Sequence, residues 1–451
     1  MNYLSLHLAT LLGGALVVLL SVDILRARRS PSATWGWLLF MLTLPWLAIP
    51  LYLSLGKRKL EPVLSQQVVH AVSEEGGSEA NGLQRLLASH AVPAARGGNR
   101  TRFHADGETA LQALLSLITD ARKSLELCIY LVSDDATSRS IFSQLQNAAS
   151  RGVEVRLLLD GIGSFLYPRK RVRELRAAGI QVAWFIPLLH RPFRGRTNLR
   201  NHRKLALADG SRAWLGGRNL AQESFEGNAR WVDLSFDLEG PVVLQLAQVF
   251  AADWRFATGI QMSAKAEVEP AGTGRVQVIT SGPDTPGEPL HDLLLSALFR
   301  ARKRIVAVTP YFVPDESLQR ALCLAAMRGV QVTLIMPRRS NHRLADFTRS
   351  RYLRELWRSG VHVKLIAGSM VHAKGVVVDD KLALAGSANL DLRSLFLNFE
   401  LVCLFTSETD VNALGVWLNE LGERADVYLP PPTGRWREIV EGLVLLLAFQ
   451  M

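Results

Sequence analysis

"HRKLALADGSRAWLGGRNL", residues 202–220, and "HAKGVVVDDKLALAGSANL", residues 372–390, are one pattern written twice. Each begins with a histidine and a lysine two positions apart. Each then runs through a short apolar stretch, meets a polar turn ("DGS" or "DDK") and turns apolar again. Two apolar runs joined by such a turn read as a β-hairpin, with "KLALA" and "KGVVV" as central strands and "RAWLGG" and "KLALAGS" beside them.

The repetition extends outward from these hairpins. "ARKSLELCIYLVSDD" (121–135) resembles "ARKRIVAVTPYFVPDE" (301–316), and "NAASRGVEVRLLLD" (147–160) resembles "LAAMRGVQVTLIMP" (324–337). "LRAAGIQVAWF" (175–185) resembles "LWRSGVHVKLI" (356–366). The order is kept, and the offset between copies is nearly constant and close to the length of a domain. So long a repeat is not a solenoid unit; it means two similar domains, related by a pseudo-twofold axis. Each copy alternates helix and apolar strand, with "GVEVRLLL" and "GVQVTLIM" following a glycine that closes a helix. The alternation predicts an α/β fold with a mostly parallel sheet covered by helices.

The chain has 451 residues, a net charge of +11 and 48% hydrophobic residues. The charge favours an anionic partner: nucleic acid, phosphate esters or an acidic lipid surface. The three cysteines, Cys128, Cys323 and Cys403, have neither zinc nor disulfide spacing and read as small buried hydrophobes. Two apolar segments, 3–22 and 34–55, are each long enough for a bilayer core, which takes about 20 residues. Trp35, Trp37 and Tyr52 lie near the ends of the second, and no Lys or Arg precedes the first, so a cleaved signal peptide is disfavoured. The expectation is a transmembrane hairpin over 1–58. Its orientation is not legible, because equal numbers of basic residues follow the two segments. A polar linker is expected over 59–101, the first domain over 102–275 and the second over 276–430. An amphipathic tail is expected over 431–451, lying on the protein or on a membrane interface.

Both copies fit His-x-Lys-x4-Asp: His202, Lys204, Asp209 and His372, Lys374, Asp379. These six are the candidate catalytic set, with Asp209 and Asp379 expected to support local structure rather than touch a phosphate. Asn219 and Asn389 stand at the same spacing after their histidines, and so do Gly217 and Ser387. His and Lys two apart on a strand share a face. Two copies across a twofold would surround one point with two imidazoles and two ammoniums. Lys204, Lys374, Asn219 and Asn389 would hold the nonbridging oxygens of a phosphate, with Ser387 as a further donor on one side only. One imidazole would attack phosphorus and the other would protonate the leaving oxygen. The lysines would neutralise phosphoryl charge, so no metal or other cofactor is expected. "HRPFRGRTNLRNHRK" (190–204), rich in Arg and Lys, reads as a basic lip for anionic headgroups.

These twin motifs resemble the phospholipase D superfamily. "NLRNHRKLALADG", "PYFVPDE", "MVHAKGVVVDD", "GSANLDLRSLFLNFE" and the N-terminal "SPSATWGWLLFMLTLPWLAIPLYLSLG" are similar, within it, to the bacterial cardiolipin synthases. The resemblance implies two duplicated phospholipase D-like domains behind a membrane hairpin, in a multi-pass protein of the bacterial inner membrane. It implies phosphatidyl transfer between two phosphatidylglycerol molecules, giving cardiolipin and glycerol through a phosphatidyl-histidine. It points to His202 as nucleophile and His372 as acid, then base, a choice the symmetric motifs do not make by themselves. An acidic residue orients each imidazole in such enzymes; Asp233 and Glu400, each well downstream of the histidine in its own half, are the candidates. The partners implied are phosphatidylglycerol and cardiolipin, not nucleic acid. The alternative is a hydrolase of the same superfamily, a phospholipase or a nuclease. A nuclease would suit the charge but would not need the hairpin.

Overall fold

A computed structural model describes residues 3–26, 31–56, 58–59, 78–187, 197–226, 231–262 and 267–448. The chain divides into two compact units, one of residues 1–58 with 188–199, the other of 59–187 with 200–451.

The smaller unit is helical. Its helices run Tyr3–Arg26, Pro31–Thr43 and Pro45–Leu55. The expected single helix over 34–55 is therefore broken at Leu44. Pro45 has no N–H to give an α-helical ladder and disfavours helical dihedrals in the residue before it; Leu44 takes φ −139°, ψ 61°. Among the described residues, no helix is long and apolar enough to cross a membrane. The unit has a small core of Ile24, Met41, Ala48 and Tyr52, closed by a hydrogen bond from the Tyr52 hydroxyl to Asp23 Oδ2 (2.7 Å). Leu12, Leu19, Leu39, Leu42, Trp35 and Trp46 are exposed.

The larger unit contains both copies of the repeat. In the first half the strand order is Gln181–Phe185, Glu154–Asp160, Ser124–Ile129, Leu205–Ala208, Arg212–Gly216, Ser235–Glu239, Arg96–His104. In the second it is His362–Ile366, Gln331–Pro337, Arg304–Val308, Gly375–Val378, Leu382–Gly386, Glu400–Phe405, Gly274–Ser281, with Asp426–Val427 outside His362–Ile366. The two orders are equivalent strand for strand. The halves join where Arg96–His104 pairs antiparallel with Gly274–Ser281, giving one sheet of 15 strands.

Only three strands per half are mutually parallel, so the sheet is mixed rather than mostly parallel. The motif hairpins are the reason. Leu205–Ala208 runs antiparallel to both Ser124–Ile129 and Arg212–Gly216, and Gly375–Val378 does the same in its half. The strand Arg96–His104 and the helix Ser78–Ser89 lie where a linker was expected. The "RGG" at 96–98 has no apolar alternation to betray a strand. Each half packs its own apolar core. Asp135 and Asp315 cap equivalent helices, and Gly152 and Gly329 leave the same helices at φ 88° and 89°, a conformation that glycine takes without strain. All three cysteines are free and buried.

The tail forms the helix Arg435–Ala448, which packs on the helix Arg343–Arg358. The motif aspartates sit at the hairpin turns, not at the imidazole end. Asp209 (φ 54°) accepts from the backbone N–H groups of Arg122, Lys123 and Ser124 at 2.6–3.2 Å. Asp379 (φ 52°) does the same for Arg302, Lys303 and Arg304 at 2.7–3.0 Å. Their place among the catalytic residues is thus corrected: they pin each turn to the neighbouring strand. Asp209→Ala should cost about 2 kcal/mol in urea unfolding, from three backbone N–H groups that lose their acceptor and a left-handed alanine. Activity per folded molecule should persist. Lost activity at unchanged stability would return Asp209 to the chemistry.

Candidate active site

His202 and His372 each stand just before a central strand, so the chain delivers both imidazoles to one edge of the sheet. Backbone bonds then stitch each motif to the opposite half. His202 N donates to Phe399 O (2.9 Å), and His372 N donates to Val232 O (2.7 Å). Phe399 and Val232 are the residues just before Glu400 and Asp233.

That stitching crosses the carboxylates. His202 Nδ1 lies 2.9 Å from Glu400 Oε1, and His372 Nδ1 lies 2.7 Å from Asp233 Oδ2. Each imidazole is oriented by the other half's acid, whereas sequence distance pairs each acid with the histidine of its own half. An ionised carboxylate only accepts, so Nδ1 carries the proton in both rings and Nε2 keeps its lone pair. Tyr130 and Trp231 stand against His202 and His372, with ring centroids 4.8 and 4.9 Å away.

The lysines close the cluster. Lys204 Nζ donates to His202 O (2.7 Å), and Lys374 Nζ donates to His372 O and lies 2.9 Å from His372 Nδ1. Each ammonium lies in the field of both carboxylates. The site is nearly closed, with His202 8% and His372 5% exposed.

Burial governs the titration. It pushes His202 down to about 4, although Glu400 opposes it. Burial and the adjacent Lys374 push His372 down to about 3. Burial also lowers Lys374 to about 8 and takes Lys204 well below the usual lysine range. Burial alone would raise both acids. Lys374 and His372 outweigh it at Asp233, as His202 and Lys204 do at Glu400, so both are held below the ordinary range. The two lysines are thus set against two carboxylates, with both rings neutral.

Ser387 is corrected. Its hydroxyl donates to Glu400 and accepts from Leu401 N (2.9 Å), so it holds the acid rather than facing a ligand. Position 217 is glycine for the matching reason: a Cβ there would sit 2.2 Å from Asp233 Oδ1. Asn219 and Asn389 are buried, and the Oδ1 of each has no hydrogen-bond partner among the described residues, while Asn389 Nδ2 donates to Asp391 Oδ2 (3.1 Å).

Two buried arginines hold backbone carbonyls of the acids, a role the sequence reading gave to neither: Arg203 stood there only as part of the basic lip, and Arg218 not at all. Arg203, between His202 and Lys204, donates Nε–H to Glu400 O (3.1 Å) and pairs with Asp253 and Asp284. Arg218 donates to Asp233 O (2.6 Å), Ser224 O and His104 O. Both sit inside the repeated strings, where the second copy has Ala373 and Ala388. That contrast was the available signal. In the expected basic lip, Arg200, Arg203 and Lys204 are buried, and 188–196 lie outside the described residues. Of "PYFVPDE", Phe312 is core and Asp315 is a helix cap. Among the described residues, no group of three or more His, Cys, Asp or Glu is placed to hold a metal ion.

Comparison with known proteins agrees with this duplicated arrangement. A family profile described as cardiolipin synthase, PLD-like domain, matches residues 114–254 and again 294–421. A second, phospholipase D-nuclease N-terminal, matches residues 15–57. Cardiolipin synthase A of Citrobacter koseri is 33% identical over 415 residues, covering 86% of this chain and 85% of that one. Cardiolipin synthase A of Salmonella gallinarum is similar to the same extent. Among solved structures, phosphatidylserine synthase of Haemophilus influenzae shares the fold, with a TM-score of 0.63 at 14% identity over 82% of this chain and 100% of that one. With each profile match containing one His-Lys pair and the relatives spanning most of the sequence, the chain belongs to the cardiolipin synthase family of the phospholipase D superfamily.

Proposed function

We propose that the protein is a cardiolipin synthase, transferring a phosphatidyl group from one phosphatidylglycerol to the glycerol hydroxyl of another. The observation that carries this reading is the pair of neutral imidazoles, each held through Nδ1 by a carboxylate of the opposite half, with a lysine beside each. His202 Nε2 attacks phosphorus. The bond from phosphorus to the glycerol oxygen breaks, and that oxygen takes a proton from His372. The hydroxyl of a second phosphatidylglycerol then returns a proton to His372 and attacks phosphorus, and the P–N bond to His202 breaks. Lys204, Lys374, Asn219 and Asn389 hold the nonbridging oxygens, whose negative charge also favours the protonated form of His372 that the first step needs.

We further propose that the helical unit of residues 1–58 seats in the bilayer of the bacterial inner membrane. Its exposed leucines and tryptophans make an apolar surface of the kind that water-soluble proteins keep small. The protein should stay in the membrane pellet after an alkaline carbonate wash; release into the supernatant would remove this part of the reading.

Wild-type membranes supplied with phosphatidylglycerol and a chelator should yield cardiolipin and glycerol in equal amounts. Phosphatidic acid without cardiolipin would make the enzyme a hydrolase. His202→Ala and His372→Ala should each lower turnover by about 10³-fold or more. A near-wild-type rate in either would exclude the two-histidine mechanism.

The depressed basicities set the pH dependence. His202 attacks only when unprotonated, so kcat/KM should rise with pH through about 4. His372 must donate a proton that the free enzyme holds weakly, so no plateau should follow: kcat/KM should decline as pH rises further, and more steeply above about 8, as Lys374 loses its proton and its hold on phosphate. An acid limb near the ordinary histidine value would mean that the imidazoles are solvated.

A further inference from the structure

The C-terminal helix Arg435–Ala448 buries a carboxylate and exposes apolar side chains. A helix on a soluble protein turns its apolar stripe to the core and its charges to water. Here Glu441 faces inward, fully buried, bonded to Arg354 (Nη1–Oε1 3.3 Å) of the helix Arg343–Arg358 and to Arg437 Nε (3.1 Å). Trp436, Ile439 and Val440, at helical spacings of three and four, are 81%, 52% and 45% exposed. The buried ion pair fixes this facing: turning the helix over would leave Arg354 without Glu441, an uncompensated buried charge.

Beside this helix lies a hollow of about 650 Å³, whose lining includes Arg338, Arg339, Arg343, Arg349 and Tyr428. Arg338 pairs with Asp426, and Arg349 is held by Asp346 and by the carbonyls of Pro337 and Arg338. Arg339 and Arg343 are exposed and make no ion pair among the described residues. Tyr428 joins the two features, because Arg349 on the hollow side and Arg354, Arg437 and Glu441 on the helix side all act on its hydroxyl. Glu438 is the exposed carboxylate of the helix, and the Thr433 hydroxyl donates to it.

We infer that this helix and the arginine-rimmed hollow form a docking surface for an anionic bilayer. Trp436, Ile439 and Val440 enter the acyl boundary, and Arg339 and Arg343 meet lipid phosphates. An apolar stripe with an indole near one end and free guanidiniums alongside is the composition that such an interface selects. The surface would hold the larger unit against the membrane from which its substrates come. The inference rests on the membrane-lipid reading of the site.

The test uses the full-length protein in vesicles of phosphatidylcholine with or without phosphatidylserine, carrying a nitroxide on Val440→Cys. The native cysteines are buried and do not compete for the label. In anionic vesicles the nitroxide should be accessible to oxygen and shielded from a water-soluble nickel complex. Arg339→Gln and Arg343→Gln should each lower the docked-to-undocked ratio about fivefold. Ile439→Cys provides the same readout should Val440→Cys not fold. A nitroxide as accessible to nickel in anionic vesicles as in detergent would overturn the inference. So would shielding that follows the protein-to-lipid ratio rather than lipid charge, which would assign the face to a second copy of the chain. These vesicles contain no phosphatidylglycerol, so the measurement stands even if no cardiolipin is formed elsewhere.

Discussion

Everything about the site depends on burying two lysines, two carboxylates and two imidazoles against one another. An isolated ammonium or carboxylate at such depth would cost several kcal/mol. The crossing of His202 to Glu400 and His372 to Asp233 interleaves signs across the twofold, so each lysine lies in the field of both acids. The backbone makes that crossing unavoidable. Once His202 N is bonded to Phe399 O and His372 N to Val232 O, the acids one residue further on have no closer imidazole than the opposite one.

Symmetry holds for the reacting groups and lapses around them. Asp233 fills the space that a side chain at 217 would need, while the longer Glu400 is held by Ser387. Arg218 bridges Asp233 O to neighbouring carbonyls, and Arg203 ties Glu400 O to Asp253. The second copy has alanine at both equivalent positions. Both arginines therefore come from the first half, yet they brace the backbone of the acids in both halves. The substrate meets a matched pair of imidazoles on an unmatched scaffold.

The sequence disclosed what local spacing encodes. Hairpins, helix caps, the duplication and the gathering of histidines and lysines at one sheet edge all follow from short intervals that recur in both halves. It hid what depends on partners far along the chain. Asp233 and Glu400 were visible as the acids, but so long an interval from each histidine carries no sign of which half a side chain will reach. Ser387 looked like a phosphate donor because nothing local shows that Glu400 takes its hydroxyl. The strand at Arg96–His104 was hidden by its glycines, since it is shaped by neighbours on both sides rather than by its own propensity.

The crossed acids also bear on how such a chain could have arisen. One half alone has an imidazole and a carboxylate that do not meet, so a solitary ancestor of half this length would have had no oriented histidine. Two identical copies around a true twofold would have had two. A paired ancestor would then have been competent before fusion. With both copies in one reading frame, position 203 could become arginine while its counterpart became alanine. The tether thus made it possible for one copy to specialise in support without harming its twin.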